Sequence, residues 1–228
     1  MKSKAFIGLF LALALASAAL GQDYRIVPAP PAAAGALPPA LVALLQPQGE
    51  RLLDSKNQPI SEVWFVKALP ASTNASAPPD VLYKNFTVGE LVGALHLFSM
   101  WDDYRDQKIK PGYYTLRYAL MPQDGNHMGV SPYPDFLLLS PVAADTHYGE
   151  TLKIDDLLKL SRMVAGTGHP SVESLVPVNP AYKNLPAVVA DDQGHVALQM
   201  KLTSGSGSAG GFEFALLLLG DIPQADGS

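Results

Sequence analysis

The feature that most constrains the fold is the strict alternation in the segment Gly112–Leu120. Tyr114, Leu116, Tyr118 and Leu120 occupy every second position, and side chains two residues apart lie on the same face of a strand. One face of this strand therefore enters a core, and the other meets solvent or a partner strand. This segment is the clearest strand in the sequence, and the prediction of fold class starts from it.

Other segments have the β-branched, aromatic or alternating composition of strands, with polar turns between them. The pair 51–53 and 62–67 predicts one hairpin, and the pair 187–190 and 195–202 predicts another. Segment 91–100 is so apolar that its pattern fits either a strand buried on both faces or a partly helical segment. The remaining candidate strands are 81–88, 136–139 and 212–219.

Only one segment has convincing helical periodicity. It runs from about Ile154 to Val164, with Asp155 and Asp156 in its first turn and Gly166 placed to end it. Acidic residues at the start and a glycine after the end favour a helix. The sequence therefore predicts a mostly β protein, an antiparallel β-sandwich with one inserted helix.

The N-terminal segment has the composition of a secretory signal peptide. Lys2 and Lys4 precede an apolar run over 6–16, which is too short to span a bilayer comfortably. Small residues permit cleavage before Gln22 or, alternatively, before Ala19. We expect residues 1–21 to be removed, no transmembrane segment to remain, and the protein to reach the periplasm of a bacterium or to be secreted.

Composition sets the expected domain organisation and excludes some partners. Residues 22–48 are rich in Ala and Pro and predict a linker, 49–221 a β-sandwich domain, and 222–228 a flexible tail. The chain has no cysteine, so its fold must rest on apolar burial. Its net charge of −5 becomes more negative without the two lysines of the signal peptide, and an acidic surface repels nucleic acid.

The segment from Asp103 to Tyr118 carries a resemblance. A polar turn, the pair Pro111 and Gly112, and an aromatic residue that begins a strand succeed one another there. This order resembles a strand-turn-strand segment of bacterial immunoglobulin-like and transthyretin-like modules. A wider stretch, from Glu62 to the helix, is similar to a group of exported bacterial proteins without an assigned function. The resemblance implies that the mostly β protein is an antiparallel immunoglobulin-like β-sandwich with one inserted helix, and it supplies no activity.

A long loop offers the most concentrated set of candidate binding residues. Loops of this length on a sandwich are often functional, and this one predicts a binding site formed by Asp124, Asn126, His127, Met128 and Asp135. The same residues also suit an ordinary turn.

A metal site is the alternative interpretation of this loop. His127 with Asp124 or Asp135, and with His169 brought close by folding, would suit zinc or calcium, whereas His127 with Met121 and Met128 would suit copper. The leading interpretation requires no cofactor.

Catalytic signals are weak elsewhere, and no catalytic residue is assigned. Asp102, Asp103 and Asp106 could bind Ca²⁺ or transfer protons, but they also fit a solvated turn. No nucleophile lies between a strand and a helix in the pattern of a hydrolase. The sequence favours an exported, non-catalytic envelope protein with a binding or structural role, whose partner is a protein or glycan. The alternative is a metal-binding periplasmic protein or metal-dependent hydrolase centred on His127.

Overall fold

The computed structural model describes residues 24–32, 37–67, 69, 77–103, 105–122, 131–190, 195–202 and 211–219. Its elements, in chain order, are β1 (Arg25–Ala29), α1 (Pro39–Val42), β2 (Gly49–Leu53), β3 (Pro59–Phe65), β4 (Leu91–Leu97), β5 (Trp101–Asp102), β6 (Lys108–Ile109), β7 (Gly112–Leu120), β8 (Asp135–Pro141), α2 (Ile154–Ala165), β9 (Val172–Ser174), β10 (Ala187–Ala190), β11 (Val196–Leu202) and β12 (Phe212–Leu219).

Every strand pairing is antiparallel. Seven strands form one sheet in the order β1-β2-β3-β4-β7-β8-β9, and three form a second in the order β10-β11-β12. A bridge between Leu175 and Leu216 joins the two sheets at one edge. The predicted class, a mostly β antiparallel sandwich with an inserted helix, is confirmed, and α1 is a short additional helix. The two predicted hairpins are β2-β3 and β10-β11.

The main core lies between the two sheets. Phe214 of β12 meets Phe65 of β3 edge to face at a centroid distance of 5.7 Å, and Phe86 stacks on Tyr118 of β7 at 5.0 Å. Because alternate side chains of β7 point to opposite faces, Tyr118 enters this core while Ala119 turns away from it. Burial of these aromatic side chains provides the main stabilisation of a chain without disulfides.

A second, smaller core lies on the other face of the large sheet, beneath α2. Leu157 of the helix packs on Ala119, Phe136, Leu138 and Val172, and all five side chains are buried. Strand β8 is therefore covered on both faces, which explains its nearly continuous apolar sequence. Gly166 ends α2 in a left-handed conformation, with a φ of 70°, as its position in the sequence predicts.

The segment 81–88 is not a strand, so that prediction was wrong. Turns replace the strand because the Asp135 carboxylate accepts hydrogen bonds from the backbone N–H groups of Leu82 at 3.0 Å and Tyr83 at 2.8 Å. The side chains of Tyr83 and Phe86 enter the main core instead of alternating across a sheet. Hydrogen bonds from the backbone to a side chain can replace the backbone hydrogen bonds between strands of a sheet.

The described part of the predicted linker lies within the fold. Strand β1 pairs with β2 along its whole length, and the side chains of Leu37, Leu41 and Leu45 are buried in the main core. The Trp64 indole N–H also donates to the carbonyl oxygen of Pro30 at 3.0 Å. Proline is tolerated here because β1 is the edge strand of the sheet. The apolar residues between the prolines therefore have a packing partner that composition alone does not reveal.

Candidate functional site

The loop predicted as a binding site is mostly outside the described residues. Asp124, Asn126, His127 and Met128 all fall in the segment 123–130, so their prediction stays a prediction. Asp135 is fully buried, and besides two backbone N–H groups its carboxylate accepts a bond from the Tyr118 hydroxyl at 3.3 Å. In the described structure, Asp135 therefore holds the segment 77–90 against the large sheet.

The four histidines of the described residues lie apart. His96 stacks on Tyr113 at 4.0 Å and contacts the Glu62 carboxylate at 3.2 Å, while His147 lies 3.4 Å from Glu150. His195 is buried, and His169 is exposed after α2. Among the residues that the structure describes, no three histidine or acidic side chains are grouped so that they could hold a metal ion. The metal sites for zinc, calcium or copper centred on His127 remain predictions.

The acidic turn before β7 is organised by hydrogen bonds rather than by a site for a cation. Asp102 pairs with Lys108, and Asp106 adopts the left-handed conformation with a φ of 57°. Asp103 is buried and accepts bonds from the backbone N–H groups of Arg105 at 2.9 Å and Gln107 at 3.0 Å. Burial raises the pKa of Asp103, although these hydrogen bonds favour its charged form.

The Gln107 side chain ties this turn to the loop that follows α2. Its amide N–H groups donate to Asp103 at 2.7 Å and to the carbonyl oxygen of Pro170 at 2.9 Å. Its amide oxygen accepts a bond from the Thr167 hydroxyl. Arg105 and His169 are neighbours of these bonded residues in the chain, so the network fixes the backbone from which both side chains project.

The two tied loops form the rim of a cleft beside α2. The cleft has a volume of about 150 Å³ and lies between the helix and the outer face of β7 and β8. Ile154 and Leu158 line it from the helix, and Leu120, Phe136 and Leu138 line it from the sheet. Residues four apart share one face of a helix, so Arg162 follows Ile154 and Leu158 along the same stripe and reaches the rim. The remaining lining residues are Met121, Pro122, Gly168 and Pro170.

The rim of the cleft carries only basic and neutral groups. Arg105, Arg162 and His169 contribute to it, and none of the described lining residues is Asp or Glu. Within the described part of the chain, no acidic side chain forms an ion pair with Arg105 or Arg162. In a chain of net charge −5, this is a local concentration of positive charge above an apolar floor.

The other cavities differ from the cleft in charge and size. An open groove of about 500 Å³ runs along another side of α2, and its lining mixes both signs of charge: Lys153 and Lys159 line it together with Glu150 and Asp156, and Lys159 bonds Asp156 at 3.0 Å. A space of about 10 Å³ beside Asp103 and Glu173 is about the size of one water molecule. The cleft differs from both in combining apolar walls with basic side chains and no acidic side chain among its described lining residues.

Two buried ionisable side chains on the large sheet, Arg117 and Glu173, have opposite surroundings. Arg117 is fully buried and uses all of its donors, bonding Asp145 through Nε at 2.7 Å and the carbonyl oxygens of Gly89, Glu150 and His147 at 2.8 Å each. Glu173 is also buried, but its Oε1 has no hydrogen-bond partner in the described structure. Burial and then the nearby charge of Asp103 raise the pKa of Glu173 well above its ordinary value.

The sequence contains a partial signal for the cleft. The apolar side chains of α2 form a stripe too wide for one packing contact: Leu157, Ser161 and Val164 are buried, whereas Ile154 and Leu158 line the cleft. Arg162 continues the line of Ile154 and Leu158 at helical spacing. Arg105 has no comparable pattern in the sequence.

Comparison with known proteins does not extend this description. The chain matches no family model, no curated protein and no solved structure. In the described residues, neither helix has the length and apolar character needed to cross a membrane. The resemblance to exported immunoglobulin-like modules therefore stays a prediction, and a function has to be argued from the cleft.

Proposed function

We propose that this chain is an exported, non-catalytic binding protein of the cell envelope, located in the periplasm or secreted, and that the cleft beside α2 is its ligand site. The signal-like N-terminus supports export. The observation that carries the binding role is the apolar cleft of about 150 Å³ between α2 and the large sheet. Concave apolar sites with a few polar groups are the usual form of a small-molecule site.

The volume of the cleft limits what it accepts. An engineered apolar cavity of about 150 Å³ binds benzene in another protein. The ligand, or the part of a larger envelope partner that enters, is therefore about the size of one aromatic ring. We place the immunoglobulin-like character of the sandwich in the same proposal, as a rigid frame that presents this site.

The walls of the cleft are held by contacts that do not depend on a ligand. The Ser161 hydroxyl bonds both the carbonyl oxygen of Ser171 at 3.0 Å and its N–H at 2.9 Å, which fixes α2 to the strand β9. Leu157 packs beneath the helix in the second core. A preformed site loses less conformational entropy on binding, which favours specific recognition by this cleft.

A cleft-blocking substitution tests this function. Leu158→Trp places a larger side chain in the cleft, whereas Met163→Trp, on the same helix but 60% exposed, is the matched control. We expect benzoate or benzyl alcohol, measured by titration calorimetry, to bind the wild-type chain and the Met163→Trp variant and to lose at least tenfold in affinity for Leu158→Trp. Absence of binding by both compounds, or equal binding to Leu158→Trp, would overturn the assignment.

A further inference from the structure

We infer that the ligand of the cleft is a small amphipathic carboxylate, with a hydrocarbon body the size of one aromatic ring and an acid group at the rim. This inference rests on the proposed function and adds the chemical class of the ligand. The cleft has two independent halves of such a site: an apolar floor from Phe136, Leu138 and Leu158, and a basic rim from Arg105 and Arg162.

The two arginines supply the group that selects an anion. A guanidinium presents paired N–H donors that match a carboxylate, and such bonds are about twice as strong as neutral ones. Arg105 projects from the turn before β7, and Arg162 projects from the last turns of α2, so the two approach the cleft from different elements. A carboxylate at the rim thus meets donors from two sides.

Charge complementarity also excludes other occupants of similar size. A cation would face two arginines with no acidic residue among the described lining residues. A neutral hydrocarbon would leave both guanidinium groups without a partner from the described part of the chain. A free anion without an apolar body would leave the floor of the cleft unused and would lose the stabilisation that comes from burying apolar surface.

The three other arginines of the protein each bond the side chain of another residue. Arg117 bonds Asp145 at 2.7 Å, Arg51 pairs with Glu62, and Arg25 bonds the side-chain oxygen of Asn57 at 2.6 Å. Arg105 and Arg162 have no such side-chain partner in the described structure. Their two unused donor sets lie at the mouth of a single cleft, which is the position where an acidic ligand would use them.

The test compares three probes of matched size or charge on the full chain: benzoate, benzyl alcohol and acetate. Benzyl alcohol has the ring without the charge, and acetate has the charge without the ring. We expect benzoate to bind at least tenfold more tightly than either, because only benzoate uses both the floor and the rim. Titration calorimetry at constant ionic strength measures the three affinities.

Variants assign this preference to the arginines. We expect Arg105→Met and Arg162→Met each to lower benzoate affinity by about tenfold while leaving benzyl alcohol affinity within about twofold. Lys159→Met removes one positive charge from the same helix outside the cleft, and we expect it to leave benzoate affinity unchanged. Circular dichroism of each variant verifies that it is folded.

The possible outcomes test the chemical class of the ligand and the existence of the binding site separately. Equal binding of benzyl alcohol and benzoate would overturn the carboxylate assignment and leave the cleft as a site for neutral ligands. Equal binding of acetate and benzoate would overturn the amphipathic requirement. A loss of benzoate affinity in Lys159→Met as large as in Arg162→Met would show general charge attraction instead of a site. Binding by none of the probes would overturn the proposed function as well.

Discussion

Arg117 and the pair Arg105 and Arg162 show two different uses of the same side chain. Arg117 is fully buried on the large sheet, and its five donors are distributed among a carboxylate and three carbonyl oxygens. Arg105 is half-buried, Arg162 is exposed, and both line the cleft without an acidic partner in the described structure. The guanidinium donors of Arg117 are therefore used within the fold, whereas those of Arg105 and Arg162 are available to a ligand.

The Arg117 site connects strand β7 of the large sheet to two loops. Asp145 accepts from Arg117 and from the Thr115 hydroxyl at 2.7 Å, and the carbonyl oxygens that Arg117 reaches lie in the loops before β4 and before α2. Burial alone raises the pKa of Asp145, but the bonds from Arg117 and Thr115 outweigh burial and lower its pKa below 3.8. The charge is therefore retained because its partners are complete.

The largest effect comes from breaking this complete network. We expect Arg117→Met to lower the free energy of unfolding by about 3–5 kcal/mol, because removal of one partner leaves the other charge buried. Urea unfolding at pH 7 measures the change, and Arg105→Met is the control for loss of an arginine. A loss below about 1 kcal/mol would show that the buried pair does not stabilise the fold, and the comparison would fail.

The second effect concerns Glu173, a buried carboxyl group that lacks a complete set of hydrogen-bond partners. Because the pKa of Glu173 is raised in the folded state, the folded chain retains its proton to higher pH than the unfolded chain. The free energy of unfolding therefore falls as pH rises above about 4.5, the ordinary glutamate value. We expect Glu173→Gln to remove this fall and to be more stable than wild type at pH 8 by about 1–3 kcal/mol.

Urea unfolding of both proteins at pH 5 and pH 8 measures this difference. Glu90, whose pKa burial raises to about 7, contributes a fall of the same sign, but it is present in both proteins and cancels in the comparison. Parallel pH dependence of wild type and Glu173→Gln would contradict the assignment of a neutral buried Glu173.

A third substitution affects the rim and the fold together. Gln107→Leu removes the side-chain bonds to Asp103, Pro170 and Thr167, so we expect a loss of about 1–2 kcal/mol in stability and a loss of benzoate affinity of roughly threefold as Arg105 loses its fixed backbone. Thr167→Ala removes the Thr167 bonds to Gln107 and to the His169 N–H but keeps both bonds that Gln107 donates, and it is the matched control. Unchanged benzoate affinity in a destabilised Gln107→Leu variant would show that the hydrogen bonds of Gln107 are not needed for binding in the cleft.

The smallest effect on stability is expected at the cleft arginines. Arg105→Met and Arg162→Met remove no described hydrogen bond of the side chain, so the free energy of unfolding should stay within about 0.5 kcal/mol of wild type. Thermal and urea unfolding provide the measurement. A loss above 2 kcal/mol would mean that these arginines serve the fold as Arg117 does, and the distinction between the two groups would disappear.

Local pattern predicted the elements that have a regular period and failed where a single long-range contact decides the structure. Strand β7 and helix α2 begin where alternation and helix-terminal residues indicate. Segment 81–88 has strand-like composition, but the carboxylate of Asp135, distant in sequence, captures its backbone. The sequence of the segment alone does not indicate that contact. The sequence of β1 likewise does not indicate its pairing with β2.

The site was less predictable than the fold for a related reason. A cleft between a helix and a sheet is formed by residues far apart in sequence: Arg105 and His169 both line it, and Gln107 bonds the loop of His169 through Pro170 and Thr167. Two of the acidic candidates, Asp103 and Asp135, serve the fold as acceptors of hydrogen bonds. The type of residue shows which side chains could bind a ligand or metal, but only the folded structure shows whether they are already bonded within the protein.

The most direct measurement of the central claim is the position of a bound carboxylate in solution. Nuclear Overhauser effects between the ring protons of benzoate and the methyl groups of the chain report contacts within about 5 Å. The account predicts contacts to the methyl groups of Leu138, Ile154 and Leu158, which line the cleft. Contacts only to Leu160 or Met163, which line the open groove on another side of α2, or no contacts at saturating benzoate, would contradict it.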